Sequence, residues 1–231
     1  AKKTGLLNFS PNHFVSAVRG YFDNVADLRK NIEIHFLPQS MPGYFWIFPL
    51  SEYKANIGIG MLLSEIQKRK INLWKLLENC LKDKRFKGRF ENAKLEGKLS
   101  GWGIPLASSK RKCFGNGFIL VGDAASLVDP FSGEGIGNGM KSALIASEVL
   151  AEKILQKRLT YSDCREYEKA LWTEIGNDVK SSFYMQQIGK IHWLLDLVIF
   201  KASKNSEIRQ ELAEMFANKE AKKKATNILF Y

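Results

Sequence analysis

Gly117-Phe118-Ile119-Leu120-Val121-Gly122-Asp123-Ala124-Ala125-Ser126 is the stretch around which the chain is read. Phe118 to Val121 are four consecutive apolar residues between glycines, which predicts a strand buried on both faces. Gly122 and Asp123 end it. The next residues, Val128-Asp129-Pro130-Phe131-Ser132-Gly133-Glu134-Gly135-Ile136-Gly137-Asn138-Gly139, are dense in glycine, as suits a loop that must approach something closely. A helical repeat starts at once, with Ile136, Met140, Leu144, Ser147, Leu150 and Ile154 on one face. Strand, glycine-rich loop and helix start together present backbone N–H groups and a positive dipole end to a polar ligand.

Two phosphate-binding patterns are excluded. Gly-x-Gly-x-x-Gly occurs nowhere in the chain, and Gly139-Met140-Lys141-Ser142 is not the end of a P-loop. What remains is Gly-Asp closing a strand, Pro130 seven residues after Asp123, then Gly-Glu-Gly-Ile. This resembles the second FAD fingerprint of the para-hydroxybenzoate-hydroxylase-like flavoproteins, and within them it is most similar to the geranylgeranyl reductases. The resemblance implies that Asp123 accepts hydrogen bonds from the ribityl chain of FAD and that the Gly-Glu-Gly-Ile helix start lies beside the flavin ring. It nominates Gly122, Asp123, Pro130, Gly133, Glu134, Gly135 and Ile136 as cofactor-binding. The chemistry agrees: a carboxylate is acceptor-only and ribityl hydroxyls donate, and a helix N-terminus favours the negative charge of reduced flavin.

Toward the N-terminus, Ile32 to Phe36 alternates as a half-buried strand does. Met41-Pro42-Gly43 turns the chain into Tyr44-Phe45-Trp46-Ile47-Phe48-Pro49, and Ala55 to Met61 reads as the neighbouring strand. A helix is expected from about Ile71 to Leu81, a return to the sheet over Leu99 to Leu106, and a turn at Gly115-Asn116-Gly117. Strand geometry puts Tyr44, Trp46 and Phe48 on one face and Phe45 and Ile47 on the other. Three aromatics on one face are by periodicity ordinary core. However, Tyr-x-Trp-x-Phe-Pro followed by Gly58-x-Gly60 resembles a geranylgeranyl reductase signature, which implies a hydrocarbon slot lined by Tyr44, Trp46 and Phe48, with Gly58 and Gly60 leaving room beside them. The resemblance covers roughly residues 14 to 155.

Beyond Leu155 the chain reads as helical. Tyr161-Ser162-Asp163 opens a helix with Ser or Asp as cap. Leu171, Trp172, Ile175, Val179 and Phe183 follow at helical spacing, Ile188 to Phe200 is apolar, and Ile208, Leu212, Met215 and Phe216 suggest a last helix before a basic run from Lys219 to Lys224. The expected class is α+β. Residues 1–106 would form a substrate-binding antiparallel sheet with a helix, 107–158 the C-terminal part of an FAD-binding domain, and 159–231 a helical region. The Rossmann half carrying Gly-x-Gly-x-x-Gly, which holds the FAD pyrophosphate in the resembled family, is absent from this reading, so that half becomes an expected partner.

Composition narrows the rest. The 231 residues are 45% hydrophobic, with 35 Lys and Arg against 24 acids, a net charge of +11. The cations are dispersed without an aromatic-and-basic stripe, which argues for a solvated surface and against nucleic acid. Cys80, Cys113 and Cys164 are far apart, and so are His13, His35 and His192, so neither a disulfide frame nor a metal site is expected, and the compartment reads as reducing and cytoplasmic. Peripheral membrane contact stays open as an alternative.

The functional expectation is an FAD-dependent reductase that saturates carbon–carbon double bonds of a polyprenyl lipid. Its implied partners are that lipid and an electron donor of the NAD(P)H or ferredoxin kind. No general acid or base is nominated, and Glu134 is a candidate by position alone. The alternatives are a flavin monooxygenase, an electron-transfer flavoprotein dehydrogenase-like protein, whose iron–sulfur cluster the cysteine spacing does not suit, and a cofactor-free lipid-binding module.

Overall fold

The computed structural model describes residues 1–155 and 159–210. The suggested last helix from Ile208 onward and the basic run Lys219 to Lys224 fall mostly or wholly outside them. The chain divides into two compact units, one of Ser10–Ile104 and one of Ala1–Phe9 with the chain from Pro105 onward.

The first unit is a five-stranded sheet covered by helices. Its strands are β1 (Phe14–Asp23), β2 (Glu33–His35), β3 (Gly43–Pro49), β4 (Ala55–Leu62) and β5 (Lys94–Pro105), in the order β2-β3-β4-β1-β5. The pairs β2/β3, β3/β4 and β1/β4 are antiparallel. β1 lies near the centre of the sheet, although Arg19 and Gly20 hide any simple alternation in Phe14 to Tyr21. Between β4 and β5 come α1 (Leu63–Arg69) and α2 (Leu73–Leu81), the latter capped by Asn72, whose side chain accepts from Lys75 N at 3.1 Å. Phe45, Ile47, Ile57 and Ile59 are fully buried on one face of the sheet and share a core with Leu73, Leu77 and Cys80 of α2. That burial fixes which face of β3 is left for Tyr44, Trp46 and Phe48.

In the second unit, β6 (Phe114–Gly115) and β7 (Phe118–Ile119) form a two-residue hairpin about Asn116 and Gly117, where φ is +76° at the glycine. The expected strand buried on both faces, Phe118 to Val121, is therefore not what forms. Only its first two residues pair, and Val121 is 38% exposed. The reason lies in the backbone: Leu120 N donates to Cys113 O at 2.7 Å, and Leu120 O accepts from the Tyr167 hydroxyl at 3.0 Å, so helix and hairpin satisfy it in place of further strands.

The unit's long described helices are α3 (Ile136–Leu155), α4 (Tyr161–Ile188) and α5 (His192–Lys204). α4 is capped by Thr160 rather than by Ser162 or Asp163. The Thr160 hydroxyl accepts from Asp163 N, and Asp163 Oδ2 accepts from Thr160 N at 2.8 Å, a capping box in which Asp163 is the third residue of the first turn and not the cap. Leu171, Ile175 and Val179 of α4 are buried as their spacing predicts, and they pack with Tyr167, Ile145 and Leu127. Of the expected apolar stripe of α3, Leu150 is buried and the rest is turned outward. Ile136, Met140 and Leu144 are 76%, 69% and 60% exposed, whereas Asn138, Ser142, Ile145 and Leu150 are buried. Small polar groups are placed inward there because they bond to the preceding loop.

Candidate functional site

The loop from Val121 to Ile136 is built by its own glycines and by hydrogen bonds from α3. Gly122 has φ +53°, a left-handed conformation that favours glycine, and opens a short 3-10 helix over Gly122–Ala125. Its N–H donates to Ser142 Oγ at 3.0 Å, and its α-carbon lies against Gly139, so α3 and the turn are in close contact. Asn138 donates from Nδ2 to Leu127 O at 2.7 Å. Asp123 and Gly135 are brought together: a methyl group on Gly135 would sit 3.2 Å from Asp123 Oδ1 and 3.1 Å from Val128 Cγ2. The Asp123 side chain is exposed. An acceptor-only carboxylate thus stands open to solvent, against a bare glycine at the start of a 20-residue helix.

The seven nominated residues share this one loop, but not in one role. Pro130 is buried, and Gly133, with φ +73°, closes a turn in which its N–H donates to Asp129 O at 3.0 Å. Glu134 turns its carboxylate onto α3, accepting from Gly137 N at 2.6 Å. It caps the helix itself, so any reach toward a ligand means releasing Gly137. Ile136 points into solvent.

Ribityl hydroxyls are donors, and Asp123 is an exposed acceptor beside a glycine where a Cβ would crowd it, so this part of the chain suits the ribityl and ring side of the cofactor. None of the 231 residues forms the Gly-x-Gly-x-x-Gly turn that would address a pyrophosphate.

On β3 and β4 the register sets Tyr44 opposite Gly60, Trp46 opposite Gly58 and Phe48 opposite Asn56. The three rings run along one face with centroids 6.0 Å apart for Tyr44 and Trp46 and 5.9 Å apart for Trp46 and Phe48. Each is half-buried. The room expected beside Gly58 is already filled: the Trp46 indole lies over it and donates from Nε1 to Asn56 Oδ1 at 2.9 Å. An added methyl at Gly60 would meet only ordinary contacts, the nearest at 3.5 Å. The register also puts Arg19 and Tyr21 of β1 on this face, with the guanidinium 4.5 Å from the ring centroid.

Periodicity did not reveal Asn56, Asp129, Asn138, Ser142, Ser182 or Gln186, because they act through polar atoms and not through an apolar face. Asp129 alone carried a signal, an Asp followed by Pro and then Ser three residues on, the composition of an Asx turn.

Residues 15–96 match the family model of the geranylgeranyl reductase catalytic domain. This chain belongs to the geranylgeranyl reductase family. A digeranylgeranylglycerophospholipid reductase of Methanosarcina acetivorans is 37% identical over 145 residues, which is 62% of this chain and 34% of that protein. A second such reductase, from Methanothermobacter thermautotrophicus, is 30% identical over 190 residues, 81% of this chain and 47% of the relative. The chain therefore spans between about a third and a half of the length of these geranylgeranyl reductase relatives. Among solved structures, a geranylgeranyl bacteriochlorophyll reductase-like protein from Thermoplasma acidophilum superposes with a TM-score of 0.76 at 23% identity, covering 94% of this chain and 56% of that one. The flavin-dependent brominase Bmp2 superposes at 0.61 and 19% identity, covering 88% of this chain and 50% of its own, which extends the shared fold beyond the geranylgeranyl reductases.

Proposed function

We propose that the protein is an FAD-dependent reductase that saturates carbon–carbon double bonds in a polyprenyl lipid. The observation that carries this reading is the exposed Asp123 carboxylate held against Gly135 at the start of α3, in a chain whose relatives are named as digeranylgeranylglycerophospholipid reductases. Gly122, Asp123 and Gly135 would hold the ribityl and ring side of FAD, with Pro130 and Gly133 shaping the turn between them. When bound, the flavin supplies hydride for the double bond. The chain's own part is to accept ribityl hydrogen bonds at Asp123, to present the N-terminus of α3 to developing negative charge, and to offer the Tyr44, Trp46 and Phe48 face to an apolar chain. An electron donor of the NAD(P)H or ferredoxin kind would restore the reduced state.

Peripheral contact with a membrane is part of the proposal. Within α5, Trp193, Leu197 and Phe200 recur at helical spacing and are exposed, with Lys201 and Lys204 after them. This is the pattern of an interfacial helix, and a lipid substrate gives it a use. No described helix is long and apolar enough to cross a membrane.

The test is Asp123→Ala in the full-length protein. Losing an acceptor to ligand hydroxyls is worth about 1–3 kcal/mol, which is roughly fivefold to a hundredfold in the dissociation constant for FAD. FAD held equally tightly by parent and variant in equilibrium titration would remove Asp123 from the site.

A further inference from the structure

Asp129 is 5% exposed, yet it belongs to a loop. A buried carboxylate is costly unless donors surround it, and here they do. Its Oδ1 accepts from Phe131 N at 3.0 Å, Ser132 N at 2.8 Å and Ser132 Oγ at 2.9 Å. Its Oδ2 accepts from the Ser182 hydroxyl of α4. Its main chain is also engaged, with N donating to Glu134 O at 2.8 Å and O accepting from Gly133 N. One turn along α4 from Ser182, Gln186 Nε2 donates to Pro130 O at 2.7 Å. One face of α4 thus grips both residues of the Asp129-Pro130 pair. Asn138 of α3 grips the loop two residues earlier, at Leu127 O.

In the apolar cluster of this unit α4 contributes Tyr167, Leu171, Ile175 and Val179. Beyond them Met185 is still buried, but its neighbours Ser182 and Gln186 give their polar groups to the loop. The loop they hold contains Gly133, Gly135 and Gly137, whose backbone freedom would otherwise populate many conformations. A ligand site that is competent only part of the time binds more weakly by that fraction.

We infer that Ser182 and Gln186 are positioning residues for the flavin: from α4 they hold the Asp129–Gly135 turn in the form that presents Asp123, Gly135 and the start of α3 to the cofactor. The inference rests on the flavin reading above. It makes cofactor affinity depend on polar side chains in a helix that contributes no nominated contact of its own.

The experiment compares the full-length parent with Ser182→Ala, with Gln186→Glu, which keeps the size but removes the donor, and with Val179→Ala as a core control. FAD affinity is read by equilibrium titration of flavin fluorescence, loop order by amide hydrogen exchange at Phe131, Ser132 and Gly133 without flavin, and stability by thermal melting. The expected result is faster exchange at those amides and a dissociation constant raised about tenfold, as for a loop competent a tenth of the time, in Ser182→Ala and Gln186→Glu. Val179→Ala should lower the melting temperature with FAD affinity unchanged. A loosened turn with unchanged FAD affinity would overturn the inference, and so would an equal loss of affinity in Val179→Ala. The parent separates the two levels. A parent that binds no FAD overturns the flavin reading together with this inference, whereas a parent that binds FAD alongside an equally tight Ser182→Ala variant overturns this inference alone.

Discussion

Gly58→Ala should disrupt the aromatic face of the sheet far more than its single methyl group suggests. The added carbon would lie 2.3 Å from Trp46 Cζ2, 2.6 Å from the Val18 carbonyl oxygen and 2.7 Å from Arg19 Cβ. The indole can swing away, but the carbonyl belongs to the backbone of β1, which is paired to β4 through Val18 and Ile59. Overpacking of this kind costs about 1–3 kcal/mol. An indole turned out of place also gives up its bond to Asn56, worth about 1 kcal/mol. For a chain of this length each kcal/mol lowers the melting temperature by roughly 2–4 °C, so a fall on the order of 10 °C is expected. Circular dichroism follows the melt, and tryptophan emission reports the displaced indole. Gly60→Ala is the internal control, because its nearest neighbours would be at 3.5 Å or more, and it should be close to neutral. On a Trp46→Ala background Gly58→Ala should cost less, since one of its three clashes is gone. A Gly58→Ala protein as stable as the parent, or a Gly60→Ala protein equally damaged, would refute the packing of Trp46 over Gly58.

Two further outcomes follow from burial and exposure. All three cysteines are buried, and burial pushes the Cys80 thiol up to about 11 and, with Glu168 adding to it, the Cys113 thiol up to about 12; at pH 8 the native protein should resist iodoacetamide, while the unfolded chain takes up one label at each cysteine by mass spectrometry. Trp193→Ser with Phe200→Ser should reduce cosedimentation with vesicles of anionic phospholipid, and equal sedimentation of parent and double variant would exclude α5 as the contact.

Much of the first unit was legible because its signals are steric. Pro49 stops β3, Gly43 starts it, and the period-two pattern of Phe45 and Ile47 names the buried face. The glycines of β4 were visible too, but not their purpose: Gly58 is the seat of Trp46 rather than an empty space, and only the register of β3 on β4 reveals it. Around the loop, composition located the glycine-rich turn and the helix start after it but misjudged their surroundings. Phe118 to Val121 looked like a buried strand because apolar runs carry no information on which backbone groups will pair with them. The apolar stripe of α3, Leu150 apart, faces outward because the start of the packed side is organised by Asn138 and Ser142, whose hydrogen bonds to Leu127 O and Gly122 N outweigh hydrophobic periodicity. The grip of Ser182 and Gln186 on a loop more than fifty residues earlier is a tertiary contact with no local signature.

The product distinguishes a reductase from the other activities of this fold. The full-length protein is supplied with FAD, a chemical reductant and a geranylgeranylated glycerophospholipid, and the lipid is analysed by mass spectrometry. The expected lipid gains two hydrogens for each double bond saturated, at a rate that falls in Asp123→Ala. A lipid that gains oxygen instead, or one that returns unchanged from a protein that demonstrably holds FAD, would contradict the reductase activity.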